Sequence, residues 1–319
     1  MVLKKSSALG ATRAPELTAA LLAPRHWPSW LLVLLLSLFA LLPRRWRNRL
    51  AATLGGWLYR HKAKRRCFVL TNLRRCFPEK TEAEREHLAQ THFCSSAQVM
   101  LDMPTLWWGS KTRFLRRVTL QGAEHIEAAQ AQGKGVILLT CHSLALEYGG
   151  VRIGLNAPLV SIFKPFKNRL LNWLVYRARS RFGVRLAARA DGLRPLIKAT
   201  REGAFFYYIP DEDLGGEQSR FAPFFATEKA TLPMLGRLSK GCDALVLPCY
   251  SHYLPTEGRY QVTVLPPLSD FPSGDQQQDC ERMNRAIEGL IEIAPEQYMW
   301  GMRLFKTQPE GQPYPYDAC

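Results

Sequence analysis

From residue 81 onward, short uninterrupted apolar runs alternate with stretches of helical period, and this alternation leaves few folds open to the 319-residue chain. Gly135-Val-Ile-Leu-Leu-Thr140 is bounded by glycine and too short for an ordinary helix, so it reads as a buried strand. Leu159–Phe163, Phe205–Ile209, Ala244–Tyr250 and Tyr260–Leu265 share that character. Helical stretches are expected near 122–132, 144–154, 167–182, 192–202 and 228–240. Thr81 and Glu84 have the spacing of a capping box and should open a further helix. Met283, Ala286, Ile287, Leu290 and Ile291 form the buried stripe of a last helix, bounded by Pro295. Strands alternating with helices predict an α/β fold, a central mixed sheet flanked by helices. Apolar residues make up 47 % of the chain, enough for a sizeable core, so global disorder is excluded.

The net charge of +16 is unevenly placed. Residues 1–75 hold 15 basic side chains and one acid, and residues 158–200 hold ten and one; residues 76–157 balance and residues 201–319 are net acidic. The first block surrounds an apolar run, Trp27–Leu42, that contains no charge. As a helix its 16 residues would extend about 24 Å against a hydrocarbon core of about 30 Å. No small-x-small cleavage site follows, and the run exits into Pro43, Arg44, Arg45 and Arg47. A retained N-terminal membrane-anchor helix is therefore expected, with Trp27, Trp30, Trp46 and Trp57 suited to the headgroup region. Eleven basic residues and no acid between Arg44 and Arg75 favour a membrane-anchored protein whose bulk faces the cytoplasm. Lys4, Lys5, Arg13 and Arg25 make the other flank basic as well, which leaves open a helix lying in the interface. A nucleic-acid arm would follow a greasy helix directly, and no nucleic-acid partner is expected. The chain divides into an anchor region, 1–75, and a catalytic domain, 76–319. Eight scattered cysteines with no Cys-x-x-Cys pair fit the free thiols of a reducing compartment.

Chemistry concentrates at Thr140-Cys141-His142-Ser143-Leu144-Ala145-Leu146-Glu147, where a strand ends and a helix begins. On one continuous helix His142 and Glu147 would point about 140° apart. With His142 in the preceding loop and Glu147 in the first turns, the carboxylate can fold back onto the imidazole. It would then set the tautomer and leave the other ring nitrogen as a general base. The helix start offers amide donors for an oxyanion. A structural histidine is the plain alternative. The chain has no P-loop, dinucleotide fingerprint, nucleophile elbow or His-Glu-x-x-His zinc helix. Asp211-Glu212-Asp213-Leu214-Gly215-Gly216 lacks a calcium loop's acid at position twelve, which is Ala222. No metal or cofactor is expected.

Several separate blocks extend this motif. Asn72-Leu73-x-x-Cys76-Phe77-Pro78-Glu79, Phe163-Lys164-Pro165, Pro210-Asp211-Glu212-Asp213, the 224–233 segment ending Ala230-Thr231-Leu232-Pro233, and Pro295-Glu296-Gln297-Tyr298-Met299-Trp300 occur in order. Together with His142-x4-Glu147 they resemble the late acyltransferases of lipid A biosynthesis, the lauroyl and myristoyl acyltransferases, over about residues 25–316. The resemblance implies a glycerolipid-acyltransferase-like fold. It also implies transfer of a fatty acyl chain from acyl carrier protein, as co-substrate, to a hydroxyl on an acyl chain of the Kdo-linked lipid A precursor. His142 would be the base, supported by Glu147, with no enzyme nucleophile. The second basic block would cradle the anionic precursor and steer the acidic carrier protein. Lys164 stands where the family often carries Arg, and Arg189 and Asp191 match its Arg-x-Asp-Gly stretch. Asp211 and Asp213 either order the site or cap their loop. The motif acid resembles the lauroyl type, while Arg181-Phe182-Gly183, Asp191-Gly192 and 224–233 are nearer the myristoyl type, so both chain lengths stay open. Acylation of another lipid such as glycerophosphate, and a non-catalytic binder of anionic lipid, are the competing functions.

Overall fold

A computed structural model describes residues 14–319, so Lys4, Lys5 and Arg13 lie outside the described residues. The strands are β1 (Val118–Gln121), β2 (Gly135–Leu139), β3 (Leu159–Phe163), β4 (Val184–Ala188), β5 (Phe205–Tyr208), β6 (Arg220–Phe224), β7 (Thr227–Thr231), β8 (Ala244–Leu254) and β9 (Arg259–Val264). Seven of them form one sheet in the order β1-β9-β8-β2-β5-β3-β4, and β6 and β7 form a separate hairpin. All pairings in the large sheet are parallel except β8 with β9, so the sheet is mixed as expected. β8 manages both modes by length: 244–248 run parallel to β2, and 249–254 fold back against β9.

The helices are α1 (Trp27–Phe39), α2 (Arg44–His61), α3 (Ala63–Cys76), α4 (Glu82–Asp102), α5 (Pro104–Trp108), α6 (Lys111–Arg117), α7 (Ala123–Ala131), α8 (Leu146–Gly154), α9 (Arg169–Ser180), α10 (Arg194–Arg201), α11 (Leu235–Cys242) and α12 (Gln276–Glu292). Alternating side chains of one strand feed two cores, as strand geometry requires. Ile137 and Leu139 pack with Leu196, Leu238, Met283 and Ile287 beneath α10, α11 and α12. Val136 and Leu138 pack with Ile126, Tyr148, Val151 and Leu174 beneath α7, α8 and α9. Phe68 and Leu73 of α3 join the first of these cores. The capping box at Thr81 forms as its spacing suggests, with reciprocal bonds to Glu84.

The expected helix over 228–240 is a correction. Residues 227–231 pair antiparallel with 220–224, and the helix begins only at Leu235. Thr227 and Thr231 favour extended backbone, and Pro233 holds the preceding residue out of the helical region. β1 and β4 escaped the sequence reading. Both are four or five residues long and carry polar side chains, Thr119 and Gln121 in β1 and Arg185 in β4.

The anchor helix is a second correction. The run 27–42 makes a helix of only 13 residues, Trp27–Phe39, before a turn and Pro43 start α2. At about 20 Å this falls short of a bilayer core. Among the described residues no helix is long and apolar enough to cross a membrane. Val33 and Leu36 are buried against the protein while Leu31, Leu34, Leu35 and Leu38 face outward. α2 lies close along α4, where a Cβ on Gly55 would come within 2.4 Å of the Cys94 backbone, so glycine permits the approach. Residues on both sides of position 75 thus contribute to shared packing. The expectation of free thiols fails for one pair. Cys67 of α3 and Cys319 are joined by a disulfide with Cα atoms 5.5 Å apart, and the other six cysteines are free.

Candidate active site

His142, Lys164, Arg189 and Asp211 all follow the C-terminal ends of parallel strands: β2, β3, β4 and β5 respectively. Those four strands are adjacent in the sheet, in the order β2-β5-β3-β4, so the four residues line one edge. That edge is where open α/β sheets hold their ligands, because the helix-bound loops converge there.

At its centre the His142 imidazole meets the Asp211 carboxylate, with Nδ1 2.7 Å from Oδ1. The backbone N–H of His142 donates to Oδ2 at 2.8 Å, and the Tyr298 hydroxyl donates to the same oxygen at 2.9 Å. Asp211 is 1 % exposed, so each of these bonds forms away from water. Burial works against its charge, but the imidazole's charge and the two hydrogen bonds from His142 outweigh that and hold the carboxyl below its ordinary range. An ionised Asp211 can only accept, so Nδ1 carries a proton, and in the neutral ring Nε2 keeps its lone pair. The imidazole has 22 % of its side-chain surface open, and among the described residues Nε2 has no hydrogen-bond partner. Burial disfavours the imidazolium; Asp211, with lesser help from Glu212 and Glu147, outweighs it and raises the His142 pKa above the usual histidine value.

Glu147 does not fold back onto the imidazole as the sequence suggested. It sits in the first turn of α8, and Arg179 of α9 grips both its carboxylate oxygens, with Nε 2.6 Å from Oε2. The Arg179 guanidinium also lies 5.3 Å over the Phe163 ring. Burial opposes its charge, and Glu147 more than restores it. Glu147 therefore adds negative potential near His142 without touching it, and Asp211 takes the place expected of Glu147. Gly149 lets α8 lie this close to the sheet: a Cβ there would meet Ser251 Oγ at 2.0 Å and Tyr207 Oη at 2.8 Å.

The amides at the start of α8 are largely committed. Ser143 N–H donates to Cys141 O, Leu144 N–H to Gln297 O and Leu146 N–H to Ser143 O. This helix start offers fewer oxyanion donors than its sequence implies. Asp213 is buried and takes Thr307 N–H and Oγ1–H, both at 2.7 Å, and Gly215 N–H at 3.1 Å. These bonds cap the loop and tie it to the 305–308 segment. Lys164 and Arg189 are both exposed. Each directly follows one of a pair of register partners, Phe163 and Ala188, at the ends of adjacent strands. Asp191 accepts from Ala188 N–H at 3.1 Å and shapes the turn that carries Arg189. Among the described residues no group of three or more His, Cys, Asp and Glu side chains is arranged to hold a metal.

The other motif blocks back the site from behind. Asn72 Nδ2 donates to Trp300 O at 2.6 Å and Met302 O at 2.7 Å, binding α3 to the segment that carries Tyr298. Met299 N–H donates to His142 O at 2.8 Å, so the same segment also holds the backbone of His142. Tyr298 and Arg179 were not singled out from sequence. Tyr298 had a signal in belonging to the Pro295–Trp300 block, whereas Arg179 was one of ten similar basic residues.

Comparison with known proteins gives the site its context. The family model described as bacterial lipid A biosynthesis acyltransferase matches residues 14–307. A lipid A biosynthesis acyltransferase of Haemophilus influenzae is 38 % identical over 91 % of both chains. The lipid A biosynthesis myristoyltransferase of Escherichia coli is 36 % identical, over 95 % of this chain and 94 % of its own. The lauroyltransferase of the same organism is also 36 % identical, over 96 % of this chain and 100 % of its own. With the match covering nearly the whole chain, this protein belongs to the bacterial lipid A biosynthesis acyltransferase family and is an enzyme that transfers acyl groups.

Proposed function

We propose that the enzyme moves a lauroyl or myristoyl chain from acyl carrier protein to a hydroxyl on an acyl chain of the Kdo-linked lipid A precursor, with His142 as general base. The observation that carries this reading is the ring's asymmetry: Nδ1 is held by a buried carboxylate, and Nε2 is open. Nε2 takes the proton of the acceptor hydroxyl, and the oxygen attacks the thioester carbonyl. The tetrahedral intermediate collapses, the carbon–sulfur bond breaks, and the imidazolium returns its proton to the departing thiolate. Asp211 supports the imidazolium between these steps. The Glu147–Arg179 pair fixes α8 against α9 beside the base, and Glu147 adds a small negative potential toward it.

Lys164 and Arg189 suit the phosphate and carboxylate groups of the acceptor, Arg189 with a fork that Lys164 lacks. The outward side of α1 supports shallow contact with a membrane from one side. Trp27, Leu31, Leu34 and Leu38 recur at helical spacing and are 52–62 % exposed, with Arg44, Arg45 and Arg49 exposed at the start of α2. On this reading the catalytic domain works on the cytoplasmic face of the inner membrane, where the carrier protein is supplied.

Purified enzyme supplied with lauroyl- or myristoyl-carrier protein and the Kdo-linked precursor should give a product heavier by one acyl chain in mass spectrometry. The faster donor fixes the chain length. Absence of product with either donor, from a folded enzyme in detergent or vesicles, would refute the proposal.

A further inference from the structure

Lys164-Pro165-Phe166-Lys167-Asn168-Arg169 joins β3 to α9 at the edge of the sheet that carries His142. Phe166 is 47 % exposed, and the exposed cations Lys164, Lys167 and Arg169 lie within three residues of it. A single exposed apolar side chain is ordinary on a protein surface. This one sits on a pinned loop. Its backbone N–H donates to Asn172 Oδ1 at 2.9 Å, and Asn168 Oδ1 accepts from Leu170 N–H at 3.0 Å and Leu171 N–H at 3.1 Å. The loop is also joined to α1, because Asn168 Nδ2 donates to Ser29 Oγ at 2.8 Å. Further along, the Trp30 and Trp173 rings lie 6.4 Å apart, and Trp108, under the Arg177 guanidinium, donates from Nε1 to Ser37 Oγ at 3.1 Å. α1 therefore runs alongside α9 with its Trp27 end at the site edge.

Three exposed apolar side chains flank the Ser29–Asn168 bond: Trp27 and Leu31 on either side of Ser29, and Phe166 two residues before Asn168. Inward, the Phe166 ring is 6.3 Å from that of Phe163, over which Arg179 holds its guanidinium while gripping Glu147. A chain of contacts thus leads from the exposed Phe166 to the Glu147–Arg179 pair of the site. We propose that the 164–169 loop is a second membrane contact: Phe166 enters an anionic lipid surface next to α1 and sets the mouth of the active site at the bilayer. An aromatic ring at the acyl boundary with cations at headgroup depth is the chemistry of such a contact. A single interfacial helix leaves a protein free to roll about the helix axis, and a contact off that axis fixes which edge meets the lipid. Here the fixed edge is the one that holds His142, so a lipid acceptor reaches the base without leaving the surface, and Lys164 meets its anionic headgroup two residues from Phe166. The inference rests on the proposed function for its lipid acceptor.

The test measures co-flotation of the full chain with vesicles of mixed phosphatidylcholine and phosphatidylglycerol. Phe166→Ser should weaken binding by about fivefold, and Phe166→Leu should stay within about twofold of the wild type. Lys167→Gln with Arg169→Gln should weaken binding to these vesicles by about tenfold and leave binding to pure phosphatidylcholine in place. For Phe166→Ser, kcat/KM on the Kdo-linked precursor embedded in the vesicles should fall with binding, while kcat on precursor dispersed in detergent should stay within about twofold. Thermal melting reports folding, and Phe166→Gln stands in if the serine variant does not fold. The inference falls if the wild type does not float, or if a folded variant without the ring floats as well as the wild type. It also falls if Phe166→Ser loses carrier-protein binding with flotation intact, which would assign the loop to that acidic partner, or if neither polar variant folds, which would assign Phe166 to structure. Flotation needs no turnover. Weakened flotation in an enzyme without acyl transfer would sink the proposed function and keep the membrane contact; transfer with unweakened flotation would do the reverse.

Discussion

Replacing Asp211 by asparagine probes the arrangement that sets this site apart from its sequence motif. The carboxylate accepts three bonds, from Nδ1 of His142 at 2.7 Å, from the His142 backbone N–H at 2.8 Å and from the Tyr298 hydroxyl at 2.9 Å. Asparagine keeps the shape but turns one acceptor atom into a donor. Facing Nδ1, its amide would force the proton onto Nε2, the nitrogen that must be free. One charge-assisted bond at a 1 % exposed site is worth about 1.5–3 kcal/mol, or roughly 10–150-fold in rate. The reversed tautomer adds to this, so kcat/KM should fall by about 10²–10⁴-fold. Folding should weaken by about 1–3 kcal/mol, since three charge-assisted bonds at a buried site become neutral ones. The assay is initial-rate acyl transfer across pH, paired with thermal melting and an NMR titration of His142. The His142 midpoint should drop, because the largest influence raising it is gone. A folded Asp211→Asn enzyme with near-wild-type kcat/KM and an unmoved midpoint would refute the reasoning.

Glu147→Gln should shift the His142 midpoint less than Asp211→Asn does, because Arg179 already offsets Glu147; the same NMR titration checks this. Arg179→Met should lower the melting temperature and cut kcat/KM by about tenfold or more, since it strands a carboxylate only 20 % exposed beside the base. His92 is buried, with Nδ1 3.0 Å from Glu296 O, and burial pushes its pKa down to about 4 from 6.5. The unfolded chain therefore binds a proton that the folded one refuses, and stability should fall by up to about 3 kcal/mol as pH drops from 6.5 to 4. His92→Gln should flatten that window in denaturant titrations. Leu34→Glu with Leu38→Glu, both on the exposed side of α1, should reduce co-flotation with anionic vesicles while leaving the melting curve in place.

The parts of the fold legible in the sequence are those whose burial is continuous. β2, β3 and β5 are buried along almost their whole length, so their residues are mostly apolar and none is charged, and their positions were readable nearly to the residue. β4 escaped because Arg185 interrupts it, and β7 because Glu228 and Lys229 interrupt a segment that lies close to helix α11. The apolar run at 27–42 shows how composition misleads: its hydropathy suits a membrane span, but Pro43 and the burial of Val33 and Leu36 make it a short surface helix. His142 was visible from its place at the end of a buried strand. Its partner was not, because Asp211 is 69 residues away and reaches it through the pairing of β2 with β5. Spacing along the chain favoured Glu147, five residues on; the sheet register favours Asp211. The Cys67–Cys319 bridge, 252 residues apart in sequence, is legible only once α3 and the C-terminal segment are packed together.

The central claim is that the open nitrogen of His142 removes the acceptor's proton. Single-turnover transfer by His142→Ala, with bound acyl-carrier protein and saturating Kdo-linked precursor, tests it without interference from product release. The rate should fall by at least about 10²-fold, with folding and substrate affinity retained. A His142→Ala enzyme that transfers its acyl chain within a few-fold of the wild-type rate would contradict the account.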